Sequence, residues 1–394
     1  MNGLRTLARR AVEYARLPRE ARAEARRDRR GLATHDPGPE KAIVANLEWL
    51  ARAQDRSATR DGGLARHYSL VDGWGDSYPE TTGYAVPTLL ECHRRLARGD
   101  LESRAARMLD WLVSIQLPGG GFQGGMVNET PVVPVTFNTG QILLGLAAGV
   151  KHFGAGAYAE AMTRAADWLV KTQAEDGAWR SAPSPFAGAG DKAYDTHVAW
   201  GLLEAARVSS EERWASAGLA NIDWALTLQR PNGWFASCCL NDPERPLTHT
   251  IGYVMRGVLE GHRYAGEPRY LAAVRRTADA LLEVQRADGA LPGRLDRNWR
   301  PAVDWSCLTG NVQVAAVWLE LADLTGVAEY RAAGRRANAM VRRTIRLDAP
   351  PGIDGGVKGS FPVQGQYGRF QFLNWAAKFS IDANLLELDA AGAP

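Results

Sequence analysis

The stretch ADWLVKTQAEDGAW, residues 166–179, joins the end of an amphipathic helix to a glycine turn and a following tryptophan. The stretch IDWALTLQRPNGW, residues 222–234, has the same layout. Related phrases end at Gln54, Gln116 and Gln285, so consecutive glutamines are separated by 62, 57, 56 and 56 residues. Self-similarity at a nearly fixed period of this length indicates a repeat architecture.

A glycine turn follows each of these helix ends. Gly, Asn and Asp supply the left-handed or tight backbone conformations that end a helix. The turns lie at residues 61–63, 119–122, 176–179, 232–234 and 288–291, and a sixth at 354–357 follows a helix that lacks the glutamine.

Between consecutive turns the sequence predicts a second helix. These helices are rich in Leu, Ala and Val on most faces, as in VAWGLLEAARV at 198–208, which is typical of helices packed on both sides. The tryptophan-containing helices carry more charge and suit an outer ring. We therefore predict an all-α (α/α)6 toroid of about six helical hairpins. An open solenoid is the rival arrangement, but closure removes both exposed ends.

The predicted domain organisation is a basic helical leader, residues 1–40, and a single toroid domain, residues 41–394. The leader contains the arginine-rich stretch 7–31. Such a segment is a solvated leader, a helix strapped across the barrel, or a site of peripheral contact with an acidic partner or an anionic membrane surface.

Composition excludes several classes of function. The 47 basic and 44 acidic residues give a net charge of only +3, so nucleic acid is not an expected partner. The four cysteines form no CxxC pair and are expected to be reduced thiols, and no metal or other cofactor is expected. Loop 355–360 lacks the phosphate-loop pattern. No run of 18 apolar residues occurs, so a soluble cytoplasmic protein without a transmembrane segment is the expectation.

The phrases from Gln173 to Trp179 and from Gln229 to Trp234 resemble the Gln-Trp repeats of the squalene-cyclase and prenyltransferase superfamily, over roughly residues 42–390. The resemblance implies the toroid fold. It does not extend to the chemistry, because the paired aspartates of hopene-type cyclases and the zinc ligands of protein prenyltransferases are missing. The same toroid is shared by many carbohydrate-active enzymes. Stretches 77–84 and 137–141 are also similar to uncharacterised toroid proteins of bacterial polysaccharide biosynthesis, which implies a glycan or glycan-linked substrate.

The starts of the inner helices gather at one mouth of such a barrel. Glu80 and Asp195 lie at two of these starts. Two carboxylates across a cavity serve glycoside hydrolysis, one protonating the leaving oxygen and the other activating water or attacking carbon. The structural alternative is that both only cap their helices.

Two histidines begin other inner helices. His197 and His249, with Tyr253, could abstract and return a proton at C5 of a uronate, the chemistry of lyases and epimerases. Arg256 lies about one turn beyond Tyr253 and could pair with the substrate carboxylate. A histidine at such a position also serves as a structural residue.

The remaining candidates for substrate binding are polar or aromatic residues near the inner-helix starts. They could instead join adjacent helices, pack in the core or, for the lysine, form a salt bridge to Asp382. They are Tyr84, Asn138, Gln141, Tyr194, Asp304, Trp305, Asn311, Gln313 and Lys378.

These patterns favour a carbohydrate-active enzyme that cleaves or modifies a bacterial polysaccharide or oligosaccharide, with glycoside hydrolysis ahead of uronate lyase or C5-epimerase chemistry. One alternative is an isoprenoid-binding or terpenoid-cyclase-like protein, which would have a long apolar tunnel. The other is a non-catalytic glycan-binding scaffold, in which no acid and base approach one substrate position.

Overall fold

The computed structural model describes residues 14, 16–154 and 156–392, so residues 1–13 and 15 of the leader lie outside the described residues. Helix α1 (Arg19–Asp28) precedes two sets of six helices. The outer helices are α2 (Pro39–Asp55), α4 (Gly99–Ile115), α6 (Ala157–Thr172), α8 (Glu212–Thr227), α10 (Pro268–Val284) and α12 (Ala328–Arg342). The inner helices are α3 (Pro79–Leu96), α5 (Thr136–Phe153), α7 (Thr196–Ser209), α9 (Thr248–Ala265), α11 (Leu308–Thr325) and α13 (Asn374–Gly392).

The inner helices form a closed ring. Each packs against the next along the chain, and α13 returns to pack against α3. The last inner helix also pairs with the first outer helix, α2, so the two ends of the repeat array complete each other. The predicted (α/α)6 toroid is confirmed, and closure excludes the open solenoid.

The repeated glutamine joins each turn to the next outer helix. Gln173 Nε2 donates hydrogen bonds to the carbonyl oxygens of Gly177 in its own turn and Ala217 on α8, both at 2.9 Å. The equivalent glutamines make the same pair of bonds, for example from Gln285 to Gly289 and Ala333. The glutamine therefore recurs at a fixed spacing because each copy makes the same hydrogen bonds between neighbouring units.

The turn glycines bring backbone against backbone. Gly289 has φ +91°, and a Cβ added there would lie 2.1 Å from the carbonyl oxygen of Arg336 on the next outer helix. The sixth turn closes the ring in the same way, because a Cβ on Gly355 would lie 2.1 Å from the carbonyl oxygen of Ala45 on α2. Asn46 Nδ2 on α2 donates to Gly355 O at 2.7 Å, as Asn221 on α8 does to Gly177 O at 2.9 Å.

Five short strands, which the helical periodicity did not predict, lie in the long loops before the inner helices. They are β1 (His67–Ser69), β2 (Gly73–Trp74), β3 (Ser306–Cys307), β4 (Ser360–Phe361) and β5 (Gln371–Leu373). Strand β1 lies between β2 and β5, antiparallel to both, with His67 opposite Leu373. Strand β3 pairs with β4. The β1–β5 pair joins the first loop to the last across the point of ring closure.

Helix α1 lies against the loop that follows α12. Lys358 Nζ donates to Glu24 Oε1 at 2.9 Å and to Asp28 Oδ1 at 2.6 Å, and all three side chains are buried. Asp28 Oδ2 also accepts the Val363 N–H at 2.7 Å. Lys358 thus forms a structural ion cluster. No described helix is long and apolar enough to cross a membrane.

We predict that Gly289→Ala lowers the free energy of unfolding more than Gly326→Ala. Both glycines have positive φ, +91° and +74°, so either alanine carries a left-handed penalty of about 1–2 kcal/mol. Only at Gly289 does the new Cβ meet backbone, which we expect to cost roughly 1–3 kcal/mol more. Urea denaturation measures the difference, and equal losses would contradict this account of the turns.

Candidate active site

A cavity of about 450 Å³ opens at the N-terminal ends of the inner helices. This volume lies within the usual range of small-molecule sites, about 300–1,000 Å³. Aromatic rings make up much of the wall; they include Tyr78, Tyr84, Phe137, Tyr194, Tyr253, Tyr367 and Trp375. The carboxyl, imidazole and guanidinium groups in the same wall belong to Arg66, His67, Glu80, Glu129 and His249.

Glu80 lies in the first turn of α3, directly after Pro79, whose fixed φ suits the start of a helix. Tyr78 Oη donates to Glu80 Oε2 at 2.7 Å, and Asn138 Nδ2 donates to the same oxygen at 3.0 Å. The other oxygen, Oε1, has no hydrogen-bond partner among the described residues. The carboxyl group is therefore anchored through one oxygen while the second is available to a ligand.

Burial raises the pKa of Glu80 to about 7, although the Tyr78 hydrogen bond and the positive charge of Arg66 act in the opposite direction. A carboxyl group with a pKa near 7 can donate or accept a proton at neutral pH. Such shifts are frequent at functional sites.

His249 lies in the first turn of α9, on another wall of the cavity. Its Nδ1–H donates to Gln313 Oε1 at 2.7 Å, which leaves Nε2 as the unprotonated ring nitrogen. Burial lowers the pKa of His249 to about 4, with the Gln313 hydrogen bond acting against the shift. The ring packs against Tyr253 and Tyr367, with centroids 4.4 and 5.3 Å away. At neutral pH His249 is a neutral, oriented base.

The ring order places the two groups opposite each other. Glu80 begins the first inner helix, α3, and His249 begins the fourth, α9. In a closed ring of six helices the first and fourth members face each other across the axis. A ligand in the cavity therefore has a carboxyl group on one side and an imidazole on the other.

Arg66 comes from the loop just before β1. Its Nη1 donates to His67 Nδ1 at 3.2 Å and to Gln371 Oε1 at 3.3 Å. The guanidinium carbon lies 5.1 Å from the Trp375 ring and 5.9 Å from the Tyr78 ring. Burial and the Arg66 charge lower the pKa of His67 to about 4, so this neighbour adds no second positive charge at neutral pH.

The structure brings six of the residues chosen from the sequence into the cavity wall. They are Glu80, Tyr84, Asn138, Tyr194, His249 and Tyr253. Asn138 contacts Glu80 directly, as described above. Their roles in catalysis or binding remain predictions.

Asp195 does not face Glu80 across this cavity. It ends a short 3-10 turn before α7 and lines a separate cavity of about 280 Å³. The two cavities adjoin, because they share the wall residues Phe137, Ser184, Ala187 and Tyr194. Burial raises the pKa of Asp195 to about 8, with Lys192 acting against the shift. Asp195 is therefore not in the wall that Glu80 lines, and a catalytic role for Asp195 stays a prediction.

His197 and Gln141 occupy the repeat positions that correspond to Tyr84 and Tyr253, whose rings form the cavity floor. His197 Nδ1–H donates to Gln141 Oε1 at 2.6 Å, and neither residue lines the cavity. The His197 ring packs against the Tyr253 ring, with centroids 4.5 Å apart, and both His197 and Gln141 are buried. We had expected both at the substrate, and the structure instead places them in the barrel interior.

Arg256 and Lys378 are buried in ion pairs below the same floor. Arg256 pairs with Glu260 at 2.7 Å and Glu320 at 3.1 Å. Lys378 pairs with Asp382 at 2.6 Å. Both cations are thus paired with carboxylates, and neither lines the cavity.

Four further candidates also lie outside the cavity wall. Asp304 and Trp305 line a groove beside α1. Asn311 joins the fifth turn to its helices, accepting from Leu291 N at 2.7 Å and donating to Ala337 O at 3.1 Å. Gln313 accepts the His249 Nδ1–H hydrogen bond, so it orients a cavity residue and does not line the cavity itself.

Sequence reasoning missed cavity residues that come from loops. Arg66, Glu129 and Tyr367 belong to no inner helix, so the repeat phase gave no reason to select them. Tyr78 and Trp375 lie within phrases that the repeat did single out, next to Glu80 and Asn374. Adjacency to an inner-helix start was the signal that could have found these two.

A possible set of metal ligands lies at the opposite end of the barrel. The ligand atoms of His93, Glu102 and His152 are within 4.8 Å of one another. His152 Nε2 and Glu102 Oε1 are already 2.7 Å apart, and His93 Nδ1–H donates to Arg98 O at 2.9 Å. A histidine–carboxylate hydrogen bond and a helix cap account for this geometry.

We predict that Glu80 titrates near pH 7 and that Tyr78→Phe raises its pKa further, because the phenol hydrogen bond stabilises the ionised form. Carbon-13 NMR of glutamate-labelled protein measures both values, and Glu80→Gln identifies the resonance. Titration of this resonance below pH 5, or a lower pKa in Tyr78→Phe, would contradict the assigned causes.

No protein-family model matches this chain, and no curated protein matches its sequence. Its fold is nevertheless shared by solved structures. An unsaturated glucuronyl hydrolase specific for heparin matches with a TM-score of 0.72 and 14% identity, covering 91% of this chain and 99% of its own. A sugar epimerase from a ruminal bacterium matches with a TM-score of 0.74 and 10% identity, covering 90% of this chain and 98% of its own. Cellobiose 2-epimerase from Bacillus thermoamylovorans B4167 matches with a TM-score of 0.69 and 12% identity, covering 88% of this chain and 96% of its own. The chain thus has the (α/α)6 toroid fold of these carbohydrate-active enzymes.

Proposed function

We propose that this protein is a carbohydrate-active enzyme that transfers protons to and from a sugar, with Glu80 and His249 as its acid–base pair. The observation that carries the proposal is their placement on opposite walls of one aromatic cavity, with a pKa of about 7 for Glu80 and about 4 for His249. The fold is that of a glucuronyl hydrolase and of two epimerases, which supports a sugar as the substrate.

In the proposed reaction His249 Nε2 removes a proton from a sugar carbon next to a carbonyl or carboxylate group. Protonated Glu80 delivers a proton to the opposite face of the same carbon, so the configuration there inverts. The products are an epimerised sugar, His249 imidazolium and Glu80 carboxylate. Exchange of one proton through solvent restores the enzyme. Tyrosine and tryptophan rings in the wall can pack on the C–H faces of the sugar.

Glycoside hydrolysis is the second candidate, because a further carboxylate lines the cavity. Glu129 lies in the loop before α5, and its Oε2 accepts the Met126 N–H at 2.6 Å. Hydrolysis would use protonated Glu80 as the general acid and Glu129 in place of Asp195 as the second carboxylate. A bacterial polysaccharide or oligosaccharide remains the proposed source of the sugar.

The two alternatives from the sequence have less support. A polyprenyl chain needs a long apolar tunnel, whereas this compact cavity carries Arg66, Glu80 and His249 in its wall. A non-catalytic glycan-binding scaffold would not require an acid and a base on opposite sides of its ligand.

Isotope incorporation separates the two reactions. The protein would be incubated with neutral and acidic monosaccharides and oligosaccharides in D2O and, separately, in water labelled with oxygen-18. Proton transfer at carbon predicts deuterium in the sugar without cleavage, whereas hydrolysis predicts labelled oxygen in a new reducing end. If the protein binds sugars of the panel but incorporates neither label into any of them, the proposal is contradicted.

We predict that Glu80→Gln and His249→Gln each lower kcat/KM by about 10²–10⁴-fold, the usual contribution of a general acid or base. Asp195→Asn is the matched control, since it removes a buried carboxyl group from the neighbouring cavity and should change kcat/KM by less than about 3-fold. A large loss in Asp195→Asn with little loss in Glu80→Gln would reverse the assignment.

The pH dependence of kcat/KM should be bell-shaped. Below about pH 4 His249 is protonated and cannot accept a proton, and above about pH 7 Glu80 is ionised and cannot donate one. Activity is therefore expected between these limits. Activity that instead rises through pH 7 would show that Glu80 acts as the base. Initial rates at low substrate concentration, from pH 3.5 to 9, measure the profile.

A further inference from the structure

We propose that the Arg66 guanidinium is the receptor for a carboxylate group of the substrate, which makes the sugar a uronic acid. The inference rests on the proposed function for the statement that the ligand is a sugar. It replaces Arg256, which the structure places below the cavity floor.

Arg66 is held in place before any ligand arrives. Hydrogen bonds from Nη1 to His67 and Gln371 fix one edge of the guanidinium, and the Trp375 and Tyr78 rings flank it. The position depends on ring closure, since Gln371 begins β5 and pairs with β1. A planar group fixed in this way loses little conformational freedom when it binds a planar partner.

Arg66 has a charge without a counter-ion. Arg256 forms ion pairs with Glu260 and Glu320, whereas Arg66 forms none among the described residues. Its Nε–H and Nη2 hydrogens also have no acceptor within that part of the chain. Two of these N–H groups form the edge that can bind both oxygens of a carboxylate.

The charge balance of the cavity favours a carboxylate over a phosphate. Arg66 is the one arginine in the described cavity wall, which contains no lysine, and the adjacent His67 is neutral at pH 7. Glu80 and Glu129 add acidic groups to the same wall. A single positive charge matches one carboxylate, while a phosphate dianion would be left with unbalanced negative charge.

A carboxylate bound to Arg66 would also assist the proposed reaction. Removal of the proton next to a carboxylate puts negative charge onto the carboxylate oxygens. A fixed guanidinium stabilises this charge as it develops. Arg66 is thus expected to affect both binding and the chemical step for a uronate, and neither for a neutral sugar.

The test measures binding in the Glu80→Gln background, where turnover cannot disturb the titration. Isothermal titration calorimetry would compare D-glucuronate and D-galacturonate with their methyl esters, which lack the charge, and with a hexose 6-phosphate. Arg66→Gln removes the charge, and Arg66→Lys keeps a cation in case Arg66→Gln misfolds. Arg369→Gln is the control, since Arg369 lies outside the cavity, near the Phe370 ring.

We expect at least one uronate to bind more tightly than its ester. Arg66→Gln should weaken that binding by about 10–100-fold, the range for hydrogen bonds to a charged group, and leave the ester unchanged. Arg66→Lys should give a smaller loss, and Arg369→Gln none. Equal binding of uronate and ester, tighter binding of the phosphate through Arg66, or no binding of any uronate would overturn the assignment. If the unmodified enzyme binds a uronate but incorporates no isotope into it, the proposed function is contradicted, while the role of Arg66 as a carboxylate receptor is not.

Discussion

The close approach of each glycine turn to the following outer helix is the contact on which the toroid depends. At Gly177, Gly233 and Gly289 an added Cβ would lie within about 2.5 Å of a carbonyl oxygen on the next helix. At five of the six turns the preceding glutamine donates to the turn and to that helix. One local phrase therefore fixes the position of the next unit, and six repetitions bring the last turn against α2.

Ring closure gives the candidate site its chemical character. In the closed ring Glu80 and His249 lose much of their contact with water, which disfavours the charged form of each. The same burial therefore raises one pKa and lowers the other, and the two groups become a neutral acid and a neutral base over one range of pH.

The cations inside the barrel are paired with carboxylates, whereas the arginine at its mouth is not. Below the floor, Arg256 and Lys378 are neutralised by carboxylates, so they add to the cohesion of the inner ring. At the mouth, Arg66 has hydrogen bonds and aromatic neighbours but no ion pair among the described residues. A fold that neutralises its buried cations and leaves this one without a counter-ion is suited to an anionic ligand.

The sequence by itself determined the fold and part of the site. The period of about 56 residues, the glutamine and the glycine turn are local and repeated, so they predicted the toroid and the convergence of Glu80 and His249 at one mouth. Asp195 and His197 also lie at an inner-helix start and Arg256 lies two turns along an inner helix, yet tertiary structure decided that none of the three lines the cavity. Whether a side chain one turn along a helix reaches a cavity depends on which neighbouring rings cover it. The position of Arg66 in the site was decided by tertiary structure alone, because it depends on the pairing of two strands more than 300 residues apart in the sequence.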